Sequence, residues 1–109
     1  MPSQVERRRH PRFLADLPVD YLVGAHHGSG RLHDISLGGV GLDASHRLLR
    51  KGTQARIRIE EEGDALKLDV VICRKQGDRL GAFFLPLRNA QRAALEKFLA
   101  RLPRGSTQA

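Results

Sequence analysis

The sequence predicts a mainly β domain, a six-stranded antiparallel barrel with one α-helix after it. Three observations carry that expectation. Apolar and polar residues alternate with period two in separate runs from Pro18 to Leu85. Clusters of glycine, aspartate and serine break those runs where turns belong. Beyond Asn89 the apolar spacing becomes helical. At 109 residues the chain has room for one domain with a modest core.

Residues 1–14 have no regular period, and Pro11 biases His10 away from helical conformation. They are expected to form a flexible, arginine-rich, ligand-binding segment. The barrel and helix follow over 15–103, and 104–109 form a frayed tail. The first strand places Val19, Tyr21 and Val23 on one face and ends near Gly24. His26-His27-Gly28-Ser29-Gly30 reads as a turn, followed by a second strand from Arg31 to Ile35. The turn Asp34–Gly39 leads to a third strand with Val40, Leu42 and Ala44 on one face. Ser45–Gly52 is a basic connection. Ala55, Ile57 and Ile59 alternate against Arg56, Arg58 and Glu60, and Leu66, Leu68, Val70 and Ile72 return as their hairpin partner. A sixth strand, Arg79–Leu85, carries Phe83 and Phe84, both expected in the core with Phe98. Asn89 is the expected N-cap. Leu95, Phe98, Leu99 and Leu102 then make one apolar stripe, and Pro103 and Gly105 stop the helix.

The formal net charge of +7 favours anionic partners. Arg7, Arg8, Arg9 and Arg12 concentrate part of it at the start. The single cysteine, Cys73, excludes an internal disulfide and a cysteine-rich zinc site, and reads as an unreactive thiol. His10, His26, His27, His33 and His46 have no metal-ligand spacing, so no metal or cofactor is expected. Glu60–Glu62 read as a solvated hairpin tip, and no nucleophile elbow, phosphate loop or acid–base pair is present, so catalysis is not expected. No apolar run spans a bilayer, and charge follows the initiator at once; a cytoplasmic protein is expected.

Two stretches carry chemistry. In Arg8-x-x-x-Arg12 each guanidinium is planar, permanently charged and forked, suited to phosphate and to stacking on bases. On an extended segment the two lie roughly 13 Å apart, the reach of a compact dinucleotide. A solvated basic tail is the plain alternative. In Asp34-Ile35-Ser36-Leu37-Gly38-Gly39 the carboxylate can accept two parallel bonds from a guanine edge, and Ser36 offers a hydroxyl. Gly38 and Gly39 permit positive φ and a close ligand approach. A hairpin turn bonded to its own backbone is the alternative here.

Together, Arg8-x-x-x-Arg12 and Asp34-x-Ser36-x-x-Gly39 resemble the PilZ domain, a bacterial receptor for cyclic di-GMP. The resemblance covers essentially the whole chain and implies a six-stranded antiparallel barrel. It also implies that Arg8 and Arg12 bind phosphate and guanine, Asp34 reads a guanine edge, Ser36 bonds nearby and Gly39 keeps the turn open. Arg7, with Arg9 assisting, points to a stacked two-molecule form of the ligand. Arg74 matches a position where some members stack a large side chain on guanine; a solvent-facing arginine is the alternative. A stand-alone domain of this kind relays its signal by contact with a protein partner such as flagellar, polysaccharide-synthesis or secretion machinery. Two rivals remain: a basic barrel binding RNA or single-stranded DNA, for which the aromatic residues are few, and an adaptor acting by protein contact without ligand.

Overall fold

In the computed structural model, which describes residues 10–61 and 63–102, the alternating runs pair into strands. These are β1 (Phe13–Val23), β2 (His26–Ile35), β3 (Gly39–Asp43), β4 (Gln54–Glu61), β5 (Asp64–Gln76) and β6 (Arg79–Phe84), followed by the helix α1 (Asn89–Ala100). Their order is β1-β2-β3-β6-β5-β4, closed by antiparallel pairing of β1 with β4. The expected fold class is the observed one.

The barrel holds because each strand turns one apolar row inward. Val19, Tyr21 and Val23 meet Ile57 and Ile59, Leu66, Leu68 and Val70, and Leu80 and Ala82, all buried. Such a side chain contributes about 1.5–3 kcal/mol on full burial. The helical stripe joins this core through Leu95, Phe98 and Leu99. Gln91 Nε2 donates to the Lys67 carbonyl at 3.2 Å and ties α1 to β5.

Four local expectations are corrected. His26–Gly30 is strand, not turn, because Gly24 (φ 61°) lets a two-residue turn reverse the chain at once. Gly28 then faces the Tyr21 ring, which occupies the place a Cβ would take. Strand β1 begins at Phe13, ahead of Pro18, which is tolerated because β1 pairs there with β2 alone. The helix is capped from Arg88 rather than Asn89, the Arg88 N–H donating to Gln91 Oε1 at 2.9 Å. Phe98 is buried, but Phe83 is not: it is 47% exposed, on the outer side of β6. Its neighbours Leu80 and Ala82 take the inward positions, and strand alternation carries Phe83 out.

Candidate ligand-binding site

Strict alternation from Leu32, fully buried, would send Asp34 into the barrel. It does not go there. The register of β2 shifts by one residue at His33, so that Leu32 opposes Leu42 while Asp34 opposes Gly41. Ile35 takes the inward position and Asp34 lies on the outer face. A matching shift at Cys73 in β5 lets Ile72 point inward and leaves Arg74 exposed opposite Gly81. Bulges of this kind re-aim side chains beside functional sites.

The two bulges act on a single lateral row. Asp34 pairs with Gly41, Gly41 with Gly81, and Gly81 with Arg74. Val40 and Leu42 flank Gly41 inwardly, as Leu80 and Ala82 flank Gly81, so both glycines belong to the outer face. The Asp34 and Arg74 backbones thus stand about 14 Å apart across three strand spacings, with two glycines between them, Gly41 buried and Gly81 partly exposed.

The Asp34 carboxylate rests on this glycine floor. A Cβ built on Gly41 would lie 2.9 Å from Asp34 Oδ2 and 3.1 Å from Oδ1. Arg12, 60% exposed, meets the same carboxylate, Nη1 to Oδ1, at 2.5 Å. The forked Arg12 donor engages Oδ1, and an ionised carboxylate has acceptor capacity beyond one such bond. Asp34 is therefore engaged by another segment and not by its own turn.

Ser36 behaves differently. It is buried, and its hydroxyl oxygen accepts from the backbone N–H groups of Gly38 (3.0 Å) and Gly39 (3.2 Å). The Ser36 N–H donates to the Gly39 carbonyl at 2.9 Å. The hydroxyl organises the turn that carries Asp34 toward the surface. Gly38 and Gly39 are needed for room rather than for positive φ, a correction to the conformational expectation. At Gly39 a Cβ would fall 2.3 Å from the Ala82 carbonyl oxygen, where β3 and β6 approach closely. At Gly38 it would fall 3.1 Å from His10 Cδ2, because the described chain starts by crossing this turn.

Arg7, Arg8 and Arg9 lie outside the described residues. Of the predicted site, the structure brings together Arg12, Asp34, Ser36, Gly38 and Gly39, and sets Arg74 at the far end of the same row. Sequence reasoning missed Gly41 and Gly81. The signal was there, since each glycine interrupts a strand between two inward apolar residues.

A second charged network borders the row. Arg79 Nε lies 2.9 Å from Asp43 Oδ1, and His33 Nε2 lies 2.6 Å from Asp43 Oδ2. The close His33 contact, and then the Arg79 hydrogen bond, hold the Asp43 carboxyl below its ordinary value. Arg31 does the same for Asp16 at 2.7 Å. On the other side of the turn, Pro11, Phe13 and Leu37 line an apolar groove with Leu99, Ala100 and Leu102. The chain leading into the site thereby shares a surface with the C-terminal helix.

Comparison with known proteins follows the same lines. The family model for the PilZ domain matches residues 6–101. The PilZ domain of CeSA from a cellulose-synthesizing bacterium is 24% identical, with TM-score 0.72 over 82% of this chain and 94% of that one. The PilZ domain of YcgR from Escherichia coli, solved with c-di-GMP, is 21% identical, with TM-score 0.75 over 94% of this chain and 95% of that one. MrkH of K. pneumonia, solved as a c-di-GMP complex, is 19% identical with TM-score 0.68; the match covers 86% of this chain and half (50%) of that one. At these identities the likeness is one of fold. No curated protein matches the sequence significantly.

Proposed function

The chain belongs to the PilZ domain family, and we propose that it is a receptor for cyclic di-GMP that passes its signal on by protein contact. One observation carries the reading: Arg12 and Asp34, from distant parts of the chain, meet on an outer row that runs through Gly41 and Gly81 to Arg74. Solved relatives in complex with c-di-GMP, YcgR and MrkH, support the choice of ligand.

In this reading Asp34 accepts from the N1–H and N2–H₂ edge of a guanine, and Arg12 turns from its carboxylate partner toward phosphate or base. Arg8 supplies the second guanidinium, and Arg7 and Arg9 favour two stacked ligand molecules. Arg74 stacks on the outer guanine. Ser36, with Gly38 and Gly39, holds the turn. Charge-assisted hydrogen bonds contribute about 1.5–3 kcal/mol each, against about 1–2 kcal/mol per backbone residue ordered. Several bonds are required before net affinity appears, and a micromolar Kd, about −8 kcal/mol, is a reasonable balance.

Ordering of the arginine segment is the proposed output. Pro11 and Phe13 line one groove with Leu99 and Leu102, so a segment pulled onto the barrel face alters what the C-terminal helix presents. A partner in flagellar, polysaccharide-synthesis or secretion machinery fits this form of relay. The work is binding and relay, with no chemical step. Among the described residues, no helix is long and apolar enough to cross a membrane.

Isothermal titration against cyclic di-GMP, GMP and a short single-stranded oligonucleotide tests the proposal. Saturable binding of the cyclic dinucleotide alone is expected. Tight oligonucleotide binding without cyclic di-GMP binding would replace it with the nucleic-acid reading.

A further inference from the structure

The exposed phenylalanine on β6 stands where a ligand base needs a wall. In the β3·β6 ladder Gly41 faces Gly81, and Gly39 faces Phe83. Four outer-face positions thus comprise three glycines and one aromatic ring. The ring is 47% exposed, and Phe83 and Leu14 are the large apolar side chains left exposed among the described residues. On its other flank Phe83 pairs with half-buried Val71 of β5. No side chain on β3 stands between the ring and Asp34. From strand geometry the Phe83 and Asp34 backbones are about 12 Å apart, two strands across and two residues along. That matches the roughly 13 Å reach set out for Arg8 and Arg12 on an extended segment.

An exposed aromatic face is costly in water and useful to a flat heterocycle. Aromatic–base stacking is worth about 1–3 kcal/mol per base and tolerates any purine or pyrimidine. Asp34 recognises an edge of a base, whereas Phe83 offers a plane to one. The two surfaces are complementary in chemistry and share one floor.

We propose that Phe83 is a ligand-stacking residue, packing against a guanine of the cyclic dinucleotide laid over Gly39 and Gly81, beside the Asp34 carboxylate that covers Gly41. The inference rests on the cyclic di-GMP reading. A phenylalanine that merely shields the Gly39 backbone is the competing role, and it makes different predictions.

The chain has no tryptophan, so Phe83→Trp introduces a single tryptophan, excited apart from Tyr21, at the proposed contact. Titration with cyclic di-GMP is expected to quench its emission saturably, with the midpoint that calorimetry finds. Phe83→Leu keeps an apolar cover over Gly39 but removes the aromatic plane. It is expected to melt like the parent protein and to bind about 10-fold more weakly. Asp34→Ala serves as the reference for the site itself. Unchanged affinity in Phe83→Leu, with affinity lost in Asp34→Ala, overturns the role of Phe83 and leaves the receptor reading standing. Calorimetric binding without any emission change in Phe83→Trp overturns it as well. Absence of cyclic di-GMP binding by the unsubstituted protein overturns both.

Discussion

Replacing Gly41 with alanine puts one methyl group into the space that the Asp34 carboxylate occupies. The new Cβ would lie 2.9 Å from Oδ2, 3.1 Å from Oδ1 and 3.2 Å from Cγ. An ordinary contact needs several tenths of an ångström more, and the short Asp34 side chain can provide it only by swinging off the floor. The cost in stability is small. An off-rotamer side chain costs about 0.5–1.5 kcal/mol, and the exposed Arg12–Asp34 pair contributes about 0–1 kcal/mol. Gly41 does not have positive φ, so restricting the unfolded chain returns about 0.4–1 kcal/mol. The net change lies within about 1 kcal/mol, a Tm shift of at most about 4–8 °C. Binding should suffer more. A displaced carboxylate forfeits at least one charge-assisted bond of about 1.5–3 kcal/mol, and affinity should fall about 10- to 150-fold. Calorimetry on Gly41→Ala, Asp34→Ala and the double variant separates the causes. If the methyl acts through Asp34, Gly41→Ala adds nothing once Asp34 is alanine. Equal losses in both backgrounds would refute the reasoning, because the methyl would then be blocking the ligand directly.

Ser36→Ala should behave in the opposite way to Asp34→Ala. It removes the acceptor for two backbone N–H groups in a buried turn, so denaturant melts should show a loss of about 1–3 kcal/mol, while Asp34→Ala stays near the parent. Arg12→Ala should lower cyclic di-GMP affinity and flatten its salt dependence, with Tm changed by only a few degrees, since the guanidinium is largely exposed. Asp43 is held ionised by His33 and Arg79. Its depressed folded-state value means that the contribution of this network to stability is complete above the ordinary carboxylate range, and disappears as pH falls through the folded value. Carboxyl NMR titration should place the Asp43 midpoint below the ordinary value, and Arg79→Gln should raise it.

Much of this arrangement was legible in the sequence because period-two patterning is a physical requirement of a half-buried strand. Val19-Asp20-Tyr21, Ala55 to Ile59 and Leu66 to Ile72 can bury their apolar rows in one way only. Asp34 and Ser36 stood out only in combination with Arg8-x-x-x-Arg12, because a short polar turn can equally bond its own backbone. Bulges are harder to read. The phase slip at His33 shows in the sequence only as Leu32 and Ile35 falling out of step, and the slip at Cys73 has no apolar residue after it in β5 to mark it. That slip decides whether Asp34 and Arg74 face water or core. Phe83 was misassigned because an aromatic in a strand is a core residue by type, and its outward position follows only from the inward positions of Leu80 and Ala82. The start of β2 at His26 was missed because histidines and glycines in a row resemble loop composition, whereas Gly28 is dictated by the Tyr21 ring across the strand pair.

The central claim is that one outer-face row, from Asp34 through Gly41 and Gly81 to Arg74, receives cyclic di-GMP. Backbone amide shifts followed by NMR during a cyclic di-GMP titration test it most directly. The account predicts that the largest saturable changes fall at Asp34, Gly39, Gly41, Gly81 and Arg74, with the outer face of β4 around Arg56 and Arg58 unmoved. Saturable changes centred on Arg56 and Arg58, with the glycine floor silent, would contradict it.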